Sequence, residues 1–161
     1  MNYLIDGHNL IAKIPGLDLS MPDDEQRLIE LLVHFSQGSR GRIEVYFDGA
    51  LPGQAGKRPY GRVQAHFVLH SSTADQAIRL RLQALGRASK NWTVVTSDRA
   101  IQVAAHEAQA QVMLSEDFAR QLQAALRAGP VGNEPASDKP LSEAEVREWL
   151  EIFKRGGKSQ Q

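Results

Sequence analysis

The chain of 161 residues contains no cysteine. That excludes a disulfide framework and any zinc site built on thiolates, and a reducing compartment such as the cytoplasm is the matching expectation. Long apolar runs are missing too: none approaches the ~20 residues of a membrane-crossing helix. The opening Met1-Asn2-Tyr3-Leu4-Ile5-Asp6 is too short, and acidic too soon, for a signal peptide. A soluble cytoplasmic protein with no membrane partner is expected. Net charge is the third absence, with 19 basic and 19 acidic residues. Attraction to a polyanion therefore has to come from local charge, not from the total.

Local charge is uneven. Between Gly49 and Lys90 stand Lys57, Arg58, Arg62, Arg79, Arg81, Arg87 and Lys90, opposed only by Asp75. A basic middle third is either a solvated face or a surface for phosphates. The apolar content of 42% is ordinary for a globular protein and sufficient for one buried core.

Short β-rich runs alternate with helical patterns. Tyr3–Ile5, Ile43–Phe47, His66–Leu69, Trp92–Thr96 and Gln111–Leu114 read as strands. Pro22–Phe35 reads as a helix, with Leu28, Leu31, Leu32 and Phe35 at helical spacing and Asp23, Asp24 and Glu25 at its positive end. Ala74–Ala88, with Ile78, Leu82 and Leu85, Arg99–Gln109 and Glu116–Ala128 are further helices. Such alternation predicts an α/β fold whose mostly parallel sheet is flanked by helices on both faces.

Two segments interrupt it. Gly49–Arg62, with four glycines, two prolines and three cations, reads as a mobile loop. Residues 129–141 read as a linker. They precede an amphipathic C-terminal helix over 142–155, opened by the Ser142/Glu145 capping box, and a disordered tail at 156–161.

Three strands end on an aspartate: Leu4-Ile5-Asp6-Gly7, Tyr46-Phe47-Asp48-Gly49 and Val95-Thr96-Ser97-Asp98. In an open parallel sheet all C-terminal strand ends lie along one edge, where such folds bind ligands, so the three should converge. Asp75 adds a fourth. Seven residues before Leu82, it lies about 20° from it around the helix axis, at the N-terminal end of the apolar stripe.

Each aspartate has an ordinary explanation on its own. Asp-Gly forms turns, Asp98 can cap the following helix, and Asp75 can stabilise the first turn of its own. Those explanations do not require all four to share one crevice. Ionised carboxylates crowded together repel, and a divalent cation relieves that repulsion. Oxygen-only donors point to Mg²⁺ or Mn²⁺, whose shell is completed by water and substrate phosphate. One or two such ions can activate water against a phosphodiester.

Asn9 follows the first strand closely enough to reach the crevice, as a ligand to phosphate, water or a carboxylate, or as a cap for its own backbone. His8 is expected to be structural. Thr73, Thr96 and Ser97 can orient the carboxylates, with capping as their default role.

The segments Tyr3-Leu4-Ile5-Asp6-Gly7-His8-Asn9-Leu10-Ile11, Val45-Tyr46-Phe47-Asp48-Gly49, Thr73-Ala74-Asp75-Gln76-Ala77-Ile78 and Val94-Val95-Thr96-Ser97-Asp98-Arg99, in this order, resemble the YacP-like NYN domains of the PIN-like nuclease superfamily. The resemblance spans about residues 2 to 127. It implies a three-layer PIN-like nuclease domain over residues 1–128 and endonucleolytic cleavage of RNA with Mg²⁺ or Mn²⁺. Metal and catalytic roles would fall on Asp6, Asp48, Asp75 and Asp98, with support from Asn9. Messenger RNA, including message on the ribosome, is the implied partner. Where such proteins often carry a glutamate just before Thr-Ala-Asp, this chain has Ser72, which weakens the case for a second metal position.

On this view the cations that follow Asp48, namely Lys57, Arg58 and Arg62, should flank the crevice and contact phosphates, with Tyr60 available to stack on a base. Arg79 and Arg99 are further RNA-binding candidates. Among rivals, Leu51–Arg58 superficially suggests a nucleotide-binding loop, but it lacks the first glycine and the final Ser/Thr of that motif. A dehalogenase-like phosphatase would need a second aspartate where His8 stands. A non-catalytic RNA- or ribosome-binding module on the same fold is the remaining alternative.

Overall fold

The computed structural model describes residues 1–20, 23–38 and 40–128. The strands are β1 (Asn2–Asp6), β2 (Ile43–Ala50), β3 (Gly56–Tyr60), β4 (Val63–Leu69), β5 (Trp92–Val95) and β6 (Gln111–Met113). The helices are α1 (Gly7–Ile11), α2 (Asp24–Ser36), α3 (Ala74–Leu85), α4 (Arg99–Glu107) and α5 (Ser115–Ala128), with a 3₁₀ turn over Gly86–Asn91. The strands form one sheet in the order β3-β4-β2-β1-β5-β6, parallel except for the antiparallel edge strand β3. The expected linker, C-terminal helix and tail lie outside the described residues.

Strand alternation sends side chains to two cores. Tyr3, Ile5, Val45 and Phe47 face α1, α2 and α5, meeting Leu10, Leu28, Leu32, Phe118 and Leu122. Leu4, Tyr46 and Val94 face α3 and α4, meeting Ile78, Leu82, Ile101 and Ala105. Both faces of the central strands are thus covered, which is why Val94 and Val95 are equally inaccessible at adjacent positions.

One charge is built into the second core. Glu44, on β2, is 3% exposed. It accepts from Arg81 Nε at 2.9 Å and Nη2 at 2.9 Å, and from the Tyr46 hydroxyl at 2.7 Å. Arg81, counted among the basic residues of the middle third, is therefore turned inward and also lies over the Trp92 ring.

The mobile loop expected over Gly49–Arg62 is corrected. Gly56–Tyr60 is strand β3, and Tyr60 pairs with Val63 across a two-residue turn in which Gly61 adopts φ +65°. Lys-Arg-Pro-Tyr has no apolar alternation, because an edge strand needs little and tolerates Pro59 where central strands do not. The Asp6-Gly7 turn is also absent: Gly7 begins α1 directly. A Cβ there would stand 2.4 Å from the Phe47 ring and 2.8 Å from the Tyr46 carbonyl oxygen, so only glycine lets α1 press this closely on β2.

Candidate active site

The C-terminal ends of β1, β2 and β5 lie side by side, since Asp6 pairs with Tyr46 and Ile5 with Val95. Asp6 is central. Its Oδ2 accepts from Thr96 Oγ1 at 3.3 Å, and that same hydroxyl accepts from the Asp98 N–H at 3.0 Å. Because the hydroxyl oxygen already receives a proton donor, its own hydrogen is directed to Asp6. The Asp6 carboxyl is pushed up to about 6, first by burial and then by the charges of Asp48 and Asp98, against stabilising bonds from Thr96 and the Asn9 backbone.

Asp98 caps α4, its Oδ1 accepting from Ala100 N at 2.8 Å. The ordinary cap and the convergent carboxylate are thus the same residue. Asp48 leaves the ladder where the β2–β4 register shifts between Phe47 and Ala50. Its Oδ2 accepts from Ala74 N at 3.4 Å, at the start of α3, and its Oδ1 meets His8 Nδ1 at 2.9 Å.

His8, expected to be structural, enters the site through Asp48. Its Nε2 meets Glu25 Oε2 at 2.7 Å, so both ring nitrogens donate to carboxylates and the ring is an imidazolium. The Glu25 bond most of all, helped by Asp48 and opposed by burial, raises its pKa to about 9.

Asp75, one residue beyond Ala74, accepts from Arg79 Nε at 2.6 Å. Arg79 Nη2 also donates to the Ala100 carbonyl at 3.3 Å, so this pair ties α3 to α4 beside Asp98. Asp75 is half-exposed along α3 and not enclosed at the head of the apolar stripe, because Arg79 one turn later draws it sideways.

Asn9 Oδ1 accepts from Ser97 N at 2.9 Å and Ser115 Oγ at 2.6 Å, stapling the β5–α4 connection to the start of α5. Ser97 Oγ donates to Glu116, which also faces Lys13. Thr73 and Ser72 serve α3: Thr73 forms a capping box with Gln76, and the Ser72 hydroxyl donates to the Gln76 side chain.

The cations divide. β3 begins opposite Phe67, at the aspartate edge, and runs away from it. Lys57 and Arg58 are near that edge, and the Arg58 guanidinium lies 4.8 Å from the Phe67 ring centroid. Tyr60 and Arg62 are at the far end of β2 and β4, four strand residues or about 13 Å down. Their expected place beside the crevice is corrected: the chain after Asp48 turns back as a strand, and Tyr60 packs against the first core. Arg99 is exposed next to Asp98.

Glu25 and Glu116 were missed at the sequence level. Glu25 sits in the first turn of α2, where helix-dipole stabilisation is explanation enough, and no spacing links it to His8. Among the described residues no three His, Cys, Asp or Glu side chains form a ready-made metal cage. A larger cleft of about 530 Å³ lies between α3 and α4, away from Asp6, lined by Leu82, Ala104 and Glu107 among others.

Fold and site together define a doubly covered, mostly parallel α/β domain with an acidic crevice at its strand ends. Residues 3–154 match the family described as YacP-like NYN domain, and the chain belongs to that family. Membership is consistent with a nuclease and implies RNA as substrate class. A relative described as "Uncharacterized protein YacP" from Bacillus subtilis (strain 168) is 29% identical over 163 residues, covering 95% of this chain and 96% of the relative. The crystal structure of Rae1 (YacP) from Bacillus subtilis is similar in fold, with a TM-score of 0.68 and 24% identity over 99% of this chain and 87% of that one. Its W164L mutant gives a TM-score of 0.66 at 24% identity, covering 97% and 96%. No helix among the described residues is long and apolar enough to cross a membrane.

Proposed function

We propose that this chain is a metal-dependent endoribonuclease that hydrolyses RNA phosphodiester bonds at the edge formed by Asp6, Asp48, Asp75 and Asp98, with messenger RNA on the ribosome as its candidate substrate. The observation that carries the reading is Asp6, a half-buried carboxylate at the end of β1, beside the ends of β2 and β5, whose charged influences are two more carboxylates, Asp48 and Asp98. A stable fold has no use for that arrangement without a cation.

The donor set fits Mg²⁺ or Mn²⁺, which need only one or two carboxylates and otherwise keep water and substrate oxygens. Asp6 would hold the ion, with Asp98 and Asp48 around it; Asp75 is engaged by Arg79. When bound, the ion supplies an activated water and offsets charge developing on the phosphate. The chain's own residues do the rest. Thr96 aims the Asp6 carboxylate, Asn9 fixes the loop that carries Asp98, and His8 and the Ala74 N–H hold Asp48. Lys57, Arg58 and Arg99 offer charge to the RNA backbone without reading sequence.

The test is cleavage of structured and unstructured RNA with Mn²⁺ or EDTA, beside Asp6→Asn. Cleavage should require metal and disappear in the variant. Binding without cleavage in every lane would instead favour a non-catalytic RNA-binding module.

A further inference from the structure

A second feature adjoins the carboxylates. Immediately beyond Asp48, a cleft of about 320 Å³ opens between the first turn of α2, the β2 bulge and the loop that leads into β3. That volume is at the lower end of small-ligand pockets. One side is formed by Phe67 and Arg58, the guanidinium lying over the ring. Phe67 in turn stacks on Phe47, at 5.6 Å between centroids, and Phe47 is fully buried, so this platform is anchored in the core. Aromatic rings and guanidinium planes are the side-chain surfaces on which unpaired bases stack.

The opposite side is polar and carries Glu25, Gln26 and Gln54. Glu25 is held by His8 at 2.7 Å, so its carboxylate is oriented in advance. The bulge keeps the cleft open: Gly49 has φ +84° and nothing within 4 Å of where a Cβ would stand.

We propose that this cleft is a subsite for one unstacked RNA base flanking the cleaved phosphate, and that it prefers bases carrying an exocyclic amine, guanine first, over uracil. The identity of the polymer rests on the nuclease reading above; the base chemistry rests on the cleft. A carboxylate accepts N–H donors only. Guanine offers N1–H and its exocyclic amine side by side, whereas uracil offers one N–H between two carbonyl oxygens that would face the carboxylate. The two glutamine amides donate and accept, and so satisfy the remaining edge. The cleft adjoins the acidic edge by two routes, the backbone from Asp48 to Gly49 and the side chains Glu25, His8 and Asp48, so an occupant base sits on the Asp48 side of that edge.

The experiment measures binding of the full chain, in EDTA, to short oligoribonucleotides that differ at one central base, beside free mononucleotides. Amine-bearing oligomers should bind about tenfold tighter than the all-uracil oligomer. Glu25→Gln, which replaces the acceptor-only carboxylate with an amide of the same shape, should flatten that ratio, whereas the exposed double substitution Gln26→Ala/Gln54→Ala should lower it less. Arg58→Lys, which keeps charge but loses the planar stack, should weaken all oligomers alike and leave the ratio intact. Equal affinities for every base, or a ratio unmoved by Glu25→Gln, would overturn the subsite. So would free GMP binding as tightly as the oligomer, which would reassign the cleft to a nucleotide ligand. Metal-dependent cleavage with no base preference would sink the subsite and leave the nuclease standing; base preference in EDTA with no cleavage under Mn²⁺ would do the reverse.

Discussion

β1 and β2 each carry an acidic residue, Asp6 and Glu44, and the two are handled in opposite ways. Glu44, mid-strand, meets a bidentate guanidinium and a phenolic hydroxyl, so its charge is fully answered inside the protein. Asp6, at the end of β1, is bonded by the Thr96 hydroxyl but feels Asp48 and Asp98 as like charges and is pushed up to about 6. Burial of charge alone therefore does not mark a functional site in this fold. What marks the proposed site is Asp6, a carboxylate whose charged influences are carboxylates too.

The comparison is most sharply broken by chemistry. Asp6→Asn should lower RNA cleavage by roughly 10³-fold, because several kcal/mol of metal-dependent stabilisation is lost, measured as kcat/KM at fixed Mn²⁺. Arg81→Met should do the opposite kind of damage. It strands Glu44 in the core and should cost about 3 kcal/mol of stability in urea denaturation, with cleavage per folded molecule little changed. If Arg81→Met is as stable as the parent, the Glu44 pair is not a closed structural device.

Stability against pH separates the same two regions in the metal-free protein. Asp6 has a folded pKa raised above its unfolded value, which for an acid is a cost. The cost is present above about pH 6 and relieved as pH falls toward 4. Asp6→Asn should therefore be about 1–2 kcal/mol more stable than the parent at pH 7 in EDTA, with the gain shrinking towards pH 4. His8 works with the other sign. Its folded pKa of about 9 means its contribution is complete below about 6.5 and lost as pH rises to 9. Thermal melts of parent, Asp6→Asn and His8→Gln across this range check both signs. Coincident curves for parent and Asp6→Asn would remove the claim of uncompensated charge.

The smallest effects distinguish the two ends of β3. Neutralising Lys57 and Arg58 should weaken single-stranded RNA binding and reduce the slope of log affinity against log salt by about 1.4, at ~0.7 per phosphate contact. Arg62→Ala, at the far end of the strand, should leave the slope unchanged within error. Equal effects at both ends would mean that RNA crosses the outer sheet edge along its whole length.

Much of this was legible from residues in a row. Short continuous apolar runs at Leu4-Ile5 and Val94-Val95, with helical spacing of Leu28, Leu31, Leu32, Ile78 and Leu82, specify which chain segments become strands and helices. Parallel topology then brings Asp6, Asp48 and Asp98 to one edge whatever the loops do. β3 was not legible because an edge strand with one solvent side needs no apolar pattern. Nor was the inward turn of Arg81, since a basic residue on a helix reads as exposed until the strand beneath it is known.

By itself, then, the sequence determined the layered α/β architecture and the acidic edge, because both follow from local periodicity and from the geometry of parallel strands. Only tertiary structure decided which charges are answered. The partners Glu25–His8, Glu44–Arg81 and Thr96–Asp6 lie 17, 37 and 90 residues apart. Electrostatic and hydrogen-bond energies depend on distances of a few ångströms that sequence separation does not encode. The same residue types could have been paired, capped or left open, and packing made that choice.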